Sequence, residues 1–428
     1  MPLPPIPKVA SGLATTFRSL KQRNYRLWWS GSVLSNIGTW IQRIAQDWLV
    51  LDLTNNSGTA LGLVTALQFG PSLLFSVFGG AIADRANRRV VLFLTNSVGA
   101  LLSLVLGLLV LDGSVRIWHV YAISAFAGCV WAFDVPSRQS FVNELVPRDN
   151  MPNAVALNAM SFNLGRLVGP ALSGYLILVV GTGPSFIINA ASFIPFLVVI
   201  CLIRKSELFP QKRAEDGAEP MWQRTRAGFA YVRTHPSLTR LFIIIAVVGS
   251  LGMNYQVWMA LMAKHEFGRN AGSFGILGSA MAVGSVLGAL LAARRRRKPN
   301  LQWVLGLAVI FAIVLGISAC APTYEIYAFT LPLCGMVAIT TLTSANATMQ
   351  LSTEEGMRGR VAGIYFMVFT GGSPIGSPLI GWVAEHFGTR WSMALGAASV
   401  LATALILRAG LRKVNNTVPV ALGVSHGS

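Results

Sequence analysis

The sequence predicts an all-α membrane protein whose twelve transmembrane helices form two pseudo-symmetric six-helix bundles. Three observations point there: an apolar, charge-poor composition, twelve apolar runs long enough to cross a bilayer, and two motifs that recur at nearly one offset. Of 428 residues, 53% are hydrophobic and 12% charged, with mean hydropathy +0.58, whereas soluble domains carry roughly 25% charged residues. The 42 glycines are not periodic. That pattern suits close helix packing in lipid and excludes collagen.

A crossing helix needs about 20 mostly apolar residues. Runs bounded by charge, Pro or Gly fall at 26–51, 60–83, 90–111, 118–136, 153–180, 184–203, 238–262, 272–293, 301–320, 325–350, 359–384 and 390–409. The first run is too long for a signal-peptide core and ends without a small-residue cleavage site, so it reads as a retained helix. The chain then divides into an N-terminal tail (1–25), a first bundle (26–203), a linker (204–237), a second bundle (238–409) and a C-terminal tail (410–428).

Net charge is +18, a balance that in a soluble domain would suggest a nucleic-acid binder. Here the basic residues lie in short clusters between apolar runs. With the N-terminus placed in the cytoplasm, the even-numbered loops and both tails hold 28 of the 34 Lys and Arg residues and the opposite side holds four: Arg116, Lys264, Arg269 and Arg390. By the positive-inside rule both termini are expected in the cytoplasm, with the protein in the cytoplasmic (inner) membrane. In the linker, the spacing of Trp222, Phe229 and Val232 predicts an amphipathic helix lying on the membrane surface.

Cys129, Cys201, Cys320 and Cys334 are far apart within apolar segments, a pattern of packing residues. Scattered histidines and the lack of a Gly-x-Ser-x-Gly elbow or Walker loop argue against an enzyme. No catalytic residue and no metal site is expected.

Between the second and third runs stands Gly80-Ala-Ile-Ala-Asp84-Arg85-Ala-Asn87-Arg88-Arg89. It resembles the loop signature of the major facilitator superfamily, G-x-L-A-D-R-x-G-R-K/R. Gly80 is expected to let helices approach, and Asn87, in place of the second glycine, to tolerate a left-handed backbone. The same spacing returns 208 positions later at Gly288-Ala-Leu-Leu-Ala292-Ala293-Arg294-Arg295, with Ala292 in place of the aspartate. In the fifth run, Gly165-Arg166-Leu-Val-Gly169-Pro170-Ala-Leu-Ser173-Gly174 resembles a signature found mainly in the superfamily's exporters. Its counterpart, Gly372-Ser-Pro374-Ile-Gly376-Ser-Pro378-Leu-Ile-Gly381, is offset by 207 positions. Two pairs at one offset indicate an internal duplication. The stretches GTWIQRIAQDWLVLDLTNNSGTALGLV and PSRQSFVNELVPRDNMPNAVALNAMSFNLGRLVGPALSG resemble the narrower transmembrane secretion effector group, which includes enterobactin and drug exporters.

The resemblance implies a secondary transporter that exports a small siderophore- or drug-like molecule by alternating access, with the proton gradient as energy source and no cofactor. Its expected partners are the bilayer and a small-molecule substrate, with no nucleic acid, and the protein is expected to act as a monomer. An importer of an anionic solute, and a sensor or assembly factor that has lost transport, stand as alternatives.

Charges inside a membrane are costly and need a partner or an aqueous cavity. At 1.5 Å of rise per residue, Arg166 lies about 20 Å into its helix, near the midplane. Two roles for it compete: contact with an anionic substrate or coupling acid, and a structural tie between the first and fifth helices. Gln42, Arg43, Gln46 and Asp47 occur together on the first helix, where Arg43 and Asp47 are spaced to pair and Asp47 is expected at the outer interface. The resemblance further implies an inner gate, here Asp84, Arg85, Arg88, Asp134 and Arg138, with Gly80 and Arg89 beside it. Asp134 is the first candidate for proton coupling and Asp47 the second. Gln68, Asn163, Asn254, Gln256 and Asn346 complete the cavity candidates, and Tyr255 and Trp258 offer it an aromatic surface.

Overall fold

Lipid offers a backbone no hydrogen-bond partner, so a chain this apolar satisfies its amides within helices. A computed structural model describes residues 16–209, 221–295 and 297–417, and among these it contains fourteen α-helices and no strand. Six form the first half: α1 (Arg23–Leu53), α2 (Gly58–Arg85), α3 (Arg88–Leu111), α4 (Ile117–Glu144), α5 (Met151–Val180) and α6 (Thr182–Leu202). A short helix α7 (Met221–Thr234) follows the connection. The second half holds α8 (Pro236–Val247), α9 (Tyr255–Leu261), α10 (Ala271–Arg294), α11 (Leu301–Ala319), α12 (Tyr324–Leu351), α13 (Arg358–Phe387) and α14 (Thr389–Thr417). α8 and α9 are two pieces of one crossing, joined through a π-helical turn at Val248–Gly252.

Ten of the resulting segments are long and apolar enough to span a bilayer by themselves. The two crossings that fall short are α1 and α13. α1 carries Gln42, Arg43, Gln46 and Asp47, and α13 carries Gly371-Gly372-Ser373-Pro374 and Gly376-Ser377-Pro378. Both face the opposite half: α1 through Asp47 and α13 along α2. A helix that turns toward protein need not be apolar all round.

The halves meet along two seams, α2 against α13 and α5 against α10. Side-chain-free positions permit this closeness. A Cβ on Gly58 would stand 2.5 Å from the Gly381 carbonyl oxygen, and one on Gly174 2.7 Å from that of Ala271. At the end of the molecule opposite the termini, here the far end, one hydrophobic core runs from the second half into α1, α2, α3, α4 and α6 of the first. At the end bearing the termini, a separate core of Tyr25, Trp28, Leu92, Phe141 and Phe196 belongs to the first half alone. The halves are thus fused at one end and individually packed at the other.

Two local expectations are corrected, and the linker helix gains a place against the second half. A Cβ at Gly80 would meet nothing within 4 Å; the close approach falls one residue earlier, where Gly79 abuts the Ala132 carbonyl of α4. Asn87 is not left-handed: at φ −70° it caps α3, its side chain accepting from the Arg89 N–H at 3.1 Å. The linker helix α7 docks on the second half. Val232 is buried, a Cβ at Gly228 would lie 2.6 Å from Ile364 Cδ1, and the Tyr231 hydroxyl accepts the Glu354 N–H at 3.3 Å. Phe229 stays exposed, and the Trp222 side chain lies outside the described residues.

Overpacking a close contact costs about 1–3 kcal/mol. Gly79→Leu is therefore expected to lower the thermal unfolding temperature and the monodisperse yield of detergent-extracted protein, whereas Gly80→Ala leaves both unchanged. Equal behaviour of the two variants in fluorescence-detected size exclusion would contradict the α2–α4 register.

Candidate functional site

The centre of the molecule is built on α1 and α5. Gly169 sits against the Cβ of Trp40, and Gly165 against the backbone of Asn36, so the two helices touch without intervening side chains. On α5, Pro170 has no N–H and leaves the Arg166 carbonyl without its usual helical donor. One residue later the ladder is opened from outside: Ser279 of α10 donates to the Leu167 carbonyl at 2.7 Å and accepts the Ala171 N–H at 3.2 Å. These two groups would otherwise bond each other, so a hydroxyl of one half is wedged into a helix of the other.

Arg43 does not form the expected pair with Asp47: no ion pair within 4 Å joins them among the described residues. Its guanidinium lies over Trp131 at 4.4 Å, Trp40 at 5.0 Å and Phe69 at 5.4 Å, a favourable setting for a partly desolvated cation. Trp40 in turn meets Phe162 of α5 edge-on at 5.9 Å. Arg166, one turn beyond Phe162, is half-buried and within electrostatic reach of Arg43.

Several predicted cavity residues are occupied elsewhere. Gln42 accepts from Ser103 of α3 and Asn189 of α6, and Gln46 donates to Ser124 of α4 at 2.8 Å; both are interhelical ties inside the first half. Asn254 donates to the Ser250 carbonyl at 2.6 Å and accepts from Ser377 at 2.8 Å, bracing the break between α8 and α9. Tyr255 and Trp258 do not line a cavity. They are 3% and 0% exposed, lie edge-on to each other, and the indole N–H of Trp258 donates to Ser392 at 3.0 Å. Asn163 is exposed and donates to Ala159 of its own helix, Asn346 accepts from Gln350, and the Gln68 Oε1 is buried with no hydrogen-bond partner.

Asp47 is not at an interface with solvent: it is 0% exposed. Its Oδ2 accepts from the Gln256 amide of α9 at 2.5 Å, across the two halves, and its Oδ1 has no hydrogen-bond partner among the described residues. Further out the same seam carries an Asp52–Lys264 ion pair, and the Glu385 carboxylate accepts from the Ser57 hydroxyl at 2.7 Å and the Thr59 N–H at 2.9 Å. Lys264 also lies 4.7 Å from the Trp48 ring, and Trp48 stacks on Phe274 at 6.4 Å. Sequence reading missed this fastening of the far end. A signal was present, since Asp52 and Lys264 are opposite charges at the outer ends of the first and seventh runs, 212 positions apart and near the repeat offset.

Of the predicted gate, the side chains of Asp84 and Arg85 lie outside the described residues. Arg88 pairs with Glu144 of α4, and Arg89 donates to the Cys201 carbonyl of α6 at 2.6 Å. Asp134 is buried inside the first half, not at its surface. Its Oδ1 accepts from Thr95 at 2.9 Å and Asn96 at 2.7 Å, and its Oδ2 from Arg138 at 3.0 Å. Arg138 also donates to Asn96 at 3.2 Å and lies 4.4 Å from the Phe196 ring. Arg138 also lies 5.6 Å from the Trp28 ring, so the described partners of both residues come from α1, α3, α4 and α6, which makes the pair an internal tie.

Two six-helix halves with polar groups along the seam between them define a membrane transporter of the secondary type. A family profile described as "transmembrane secretion effector" matches residues 14–421. The chain belongs to this family, within the major facilitator superfamily. It is 24% identical over 370 residues to the staphyloferrin A transporter of Staphylococcus aureus, covering 85% of this chain and 90% of that protein. It is 23% identical to the enterobactin exporter of Shigella flexneri (77% and 78% covered) and 25% identical to the multidrug efflux pump Tap of Mycolicibacterium fortuitum (83% and 88%). Among solved structures, a bacterial homolog of the human lysosomal transporter Spinster superposes with a TM-score of 0.70 at 15% identity, covering 91% of this chain and 97% of that one. A POT family transporter superposes with 0.74 at 11%, covering 93% and 99%. These structural likenesses show the fold.

Removing one partner of a buried pair strands the other, at roughly 3–5 kcal/mol. Asp134→Ala is expected to destabilise the protein by that order, read as a large fall in unfolding temperature in detergent. The double variant Asp134→Ala/Arg138→Met should recover much of the loss. Failure of the second substitution to restore stability would argue against an internal tie.

Proposed function

We propose that this protein exports a small amphipathic molecule, siderophore- or drug-like, across the cytoplasmic membrane by alternating access, in exchange for protons. The observation that carries this reading is Asp47, a carboxylate buried between the two halves, held by one neutral amide and otherwise without a hydrogen-bond partner. An ionised carboxylate in such a place is poorly compensated. Asp134, with three donors including a guanidinium, is by contrast well satisfied. Asp47 therefore replaces Asp134 as the first candidate for proton coupling.

With the basic clusters at the terminal end, that end is cytoplasmic. The fused far end and the separately packed terminal ends describe a form closed to the outside. In this form Asp47 accepts from Gln256, Asp52 meets Lys264, and Glu385 holds the start of α2. Rocking the halves apart at the far end breaks these bonds, releases cargo outward and exposes Asp47 to a proton from outside. Closing again carries the proton inward. The exporters among the relatives support the direction, and the protein acts as a monomer.

Export is tested by the retention of siderophores, macrolides and other amphipathic compounds in deletion and overexpression strains. At least one compound is expected to be retained less as gene dosage rises; accumulation that rises with dosage would establish import instead. With that compound in everted vesicles, Asp47→Asn is expected to abolish the response to an imposed proton gradient while leaving gradient-free exchange within about twofold. Undiminished gradient-driven transport in this variant would remove Asp47 from the coupling step.

A further inference from the structure

Arg43 and Arg166 are two cations near the middle of the membrane-crossing bundle, on helices that touch at Gly165 and Gly169 and through Trp40 and Phe162. Among the described residues neither guanidinium forms an ion pair, and neither makes a side-chain hydrogen bond. Among the described residues, the acid whose charge acts on Arg43 is Asp47, one turn away on the same helix and engaged with Gln256 across the seam. Like charges in a low-dielectric site repel, and a membrane-embedded arginine without a partner is expensive. Packing does not explain the pair either. Both residues are half-buried, not enclosed, and the helix contact is already made by Gly165 and Gly169.

The surroundings add a second recognition element. Trp40, Phe69 and Trp131 flank Arg43, and Phe162 stands one turn from Arg166 against Trp40. Phe69 and Trp131 also meet edge-on at 6.4 Å. Three rings from α1, α2 and α4 thus flank Arg43, and a fourth on α5, one turn before Arg166, meets Trp40. Rings polarise toward a cation but do not neutralise it. What they leave unmet is negative charge.

We propose that the cargo is an organic anion whose acidic group bridges Arg43 and Arg166 while a planar or apolar part rests on Trp40, Phe69, Trp131 and Phe162. This deepens the export reading and rests on it for the identity of the site as the cargo site. Planar, bidentate guanidinium groups suit carboxylate-like acids. The inside-negative membrane potential itself favours outward movement of such a cargo.

The test uses the full-length protein in nanodiscs and three probes on one ring system: 2-naphthoate, its neutral methyl ester, and the cationic 2-naphthylmethylammonium. Binding is followed by tryptophan fluorescence and calorimetry. The naphthoate is expected to bind saturably and at least tenfold more tightly than the ester, with the ammonium weakest. Arg166→Gln and Arg43→Gln are each expected to weaken naphthoate at least tenfold and to leave the ester unchanged. Arg166→Lys, which keeps the charge, should retain part of the affinity. Unfolding temperatures measured alongside identify any variant that has lost its fold, in which case Arg166→Lys and the three-probe series on the unaltered protein decide. Equal binding of acid and ester, unaltered naphthoate binding in a folded Arg166→Gln protein, or no saturable binding of naphthoate overturns the proposal. Charge-selective binding in a protein whose vesicles accumulate cargo in the import direction would instead overturn export and leave the anion site standing.

Discussion

The close contact that α5 makes on both of its faces is the constraint on which the rest of the molecule depends. Toward α1 it offers Gly165 and Gly169, and toward α10 it offers Pro170 and Gly174. With no Cβ in the way, α1 and α5 approach closely enough to set Trp40 beside Phe162 and Arg43 within reach of Arg166. On the opposite face Ser279 can reach into the α5 ladder because Pro170 has already loosened it. In lipid, where apolar surface has no water to escape, such van der Waals contact and interhelical hydrogen bonding carry helix association. A bulkier residue at Gly169 would displace the cationic pair and the seam together.

The two ends of the molecule are held by different chemistry. At the terminal end the first half is tied within itself, by Asp134 with Arg138, Arg88 with Glu144, and Asn24 with the Arg204 backbone. At the far end the bonds run between halves, through Gln256, Lys264 and Glu385. The outer two, at Lys264 and Glu385, are polar and partly exposed, where such contacts contribute little, whereas the Gln256 bond to Asp47 is buried. The ties within the half are buried and multiply bonded, which suits a unit that moves as a rigid body.

Much of the fold was legible in the residues. Ten of the twelve crossings are plain from apolar length, α1 and α13 being more polar, and the glycine-rich face of α5 could be seen before its two neighbours were known. The candidate site was legible only in part. Arg166 and Arg43 were recognised as exceptional because charge at that depth is exceptional. Gln42 and Gln46 share their helix and depth, yet they serve as ties to α3, α4 and α6. Tyr255 and Trp258 have the composition of a cargo surface and are enclosed in the second half. Amino-acid type and depth do not distinguish these cases.

The sequence by itself determined that the chain crosses a membrane repeatedly, roughly where, and which family it belongs to, because transfer free energy and local motif spacing are properties of contiguous residues. Only the tertiary structure decided which polar group answers which. On a helix each residue is rotated about 100° from the last, so Gln42 and Arg43 are neighbours in the chain and face different helices. The partners of Asp47 and Asp52 lie more than 200 positions away, on a crossing whose register against α1 is set by packing. Asp47 could be named as a candidate from sequence, but its burial and its place on the seam between the halves depended on how those halves pack.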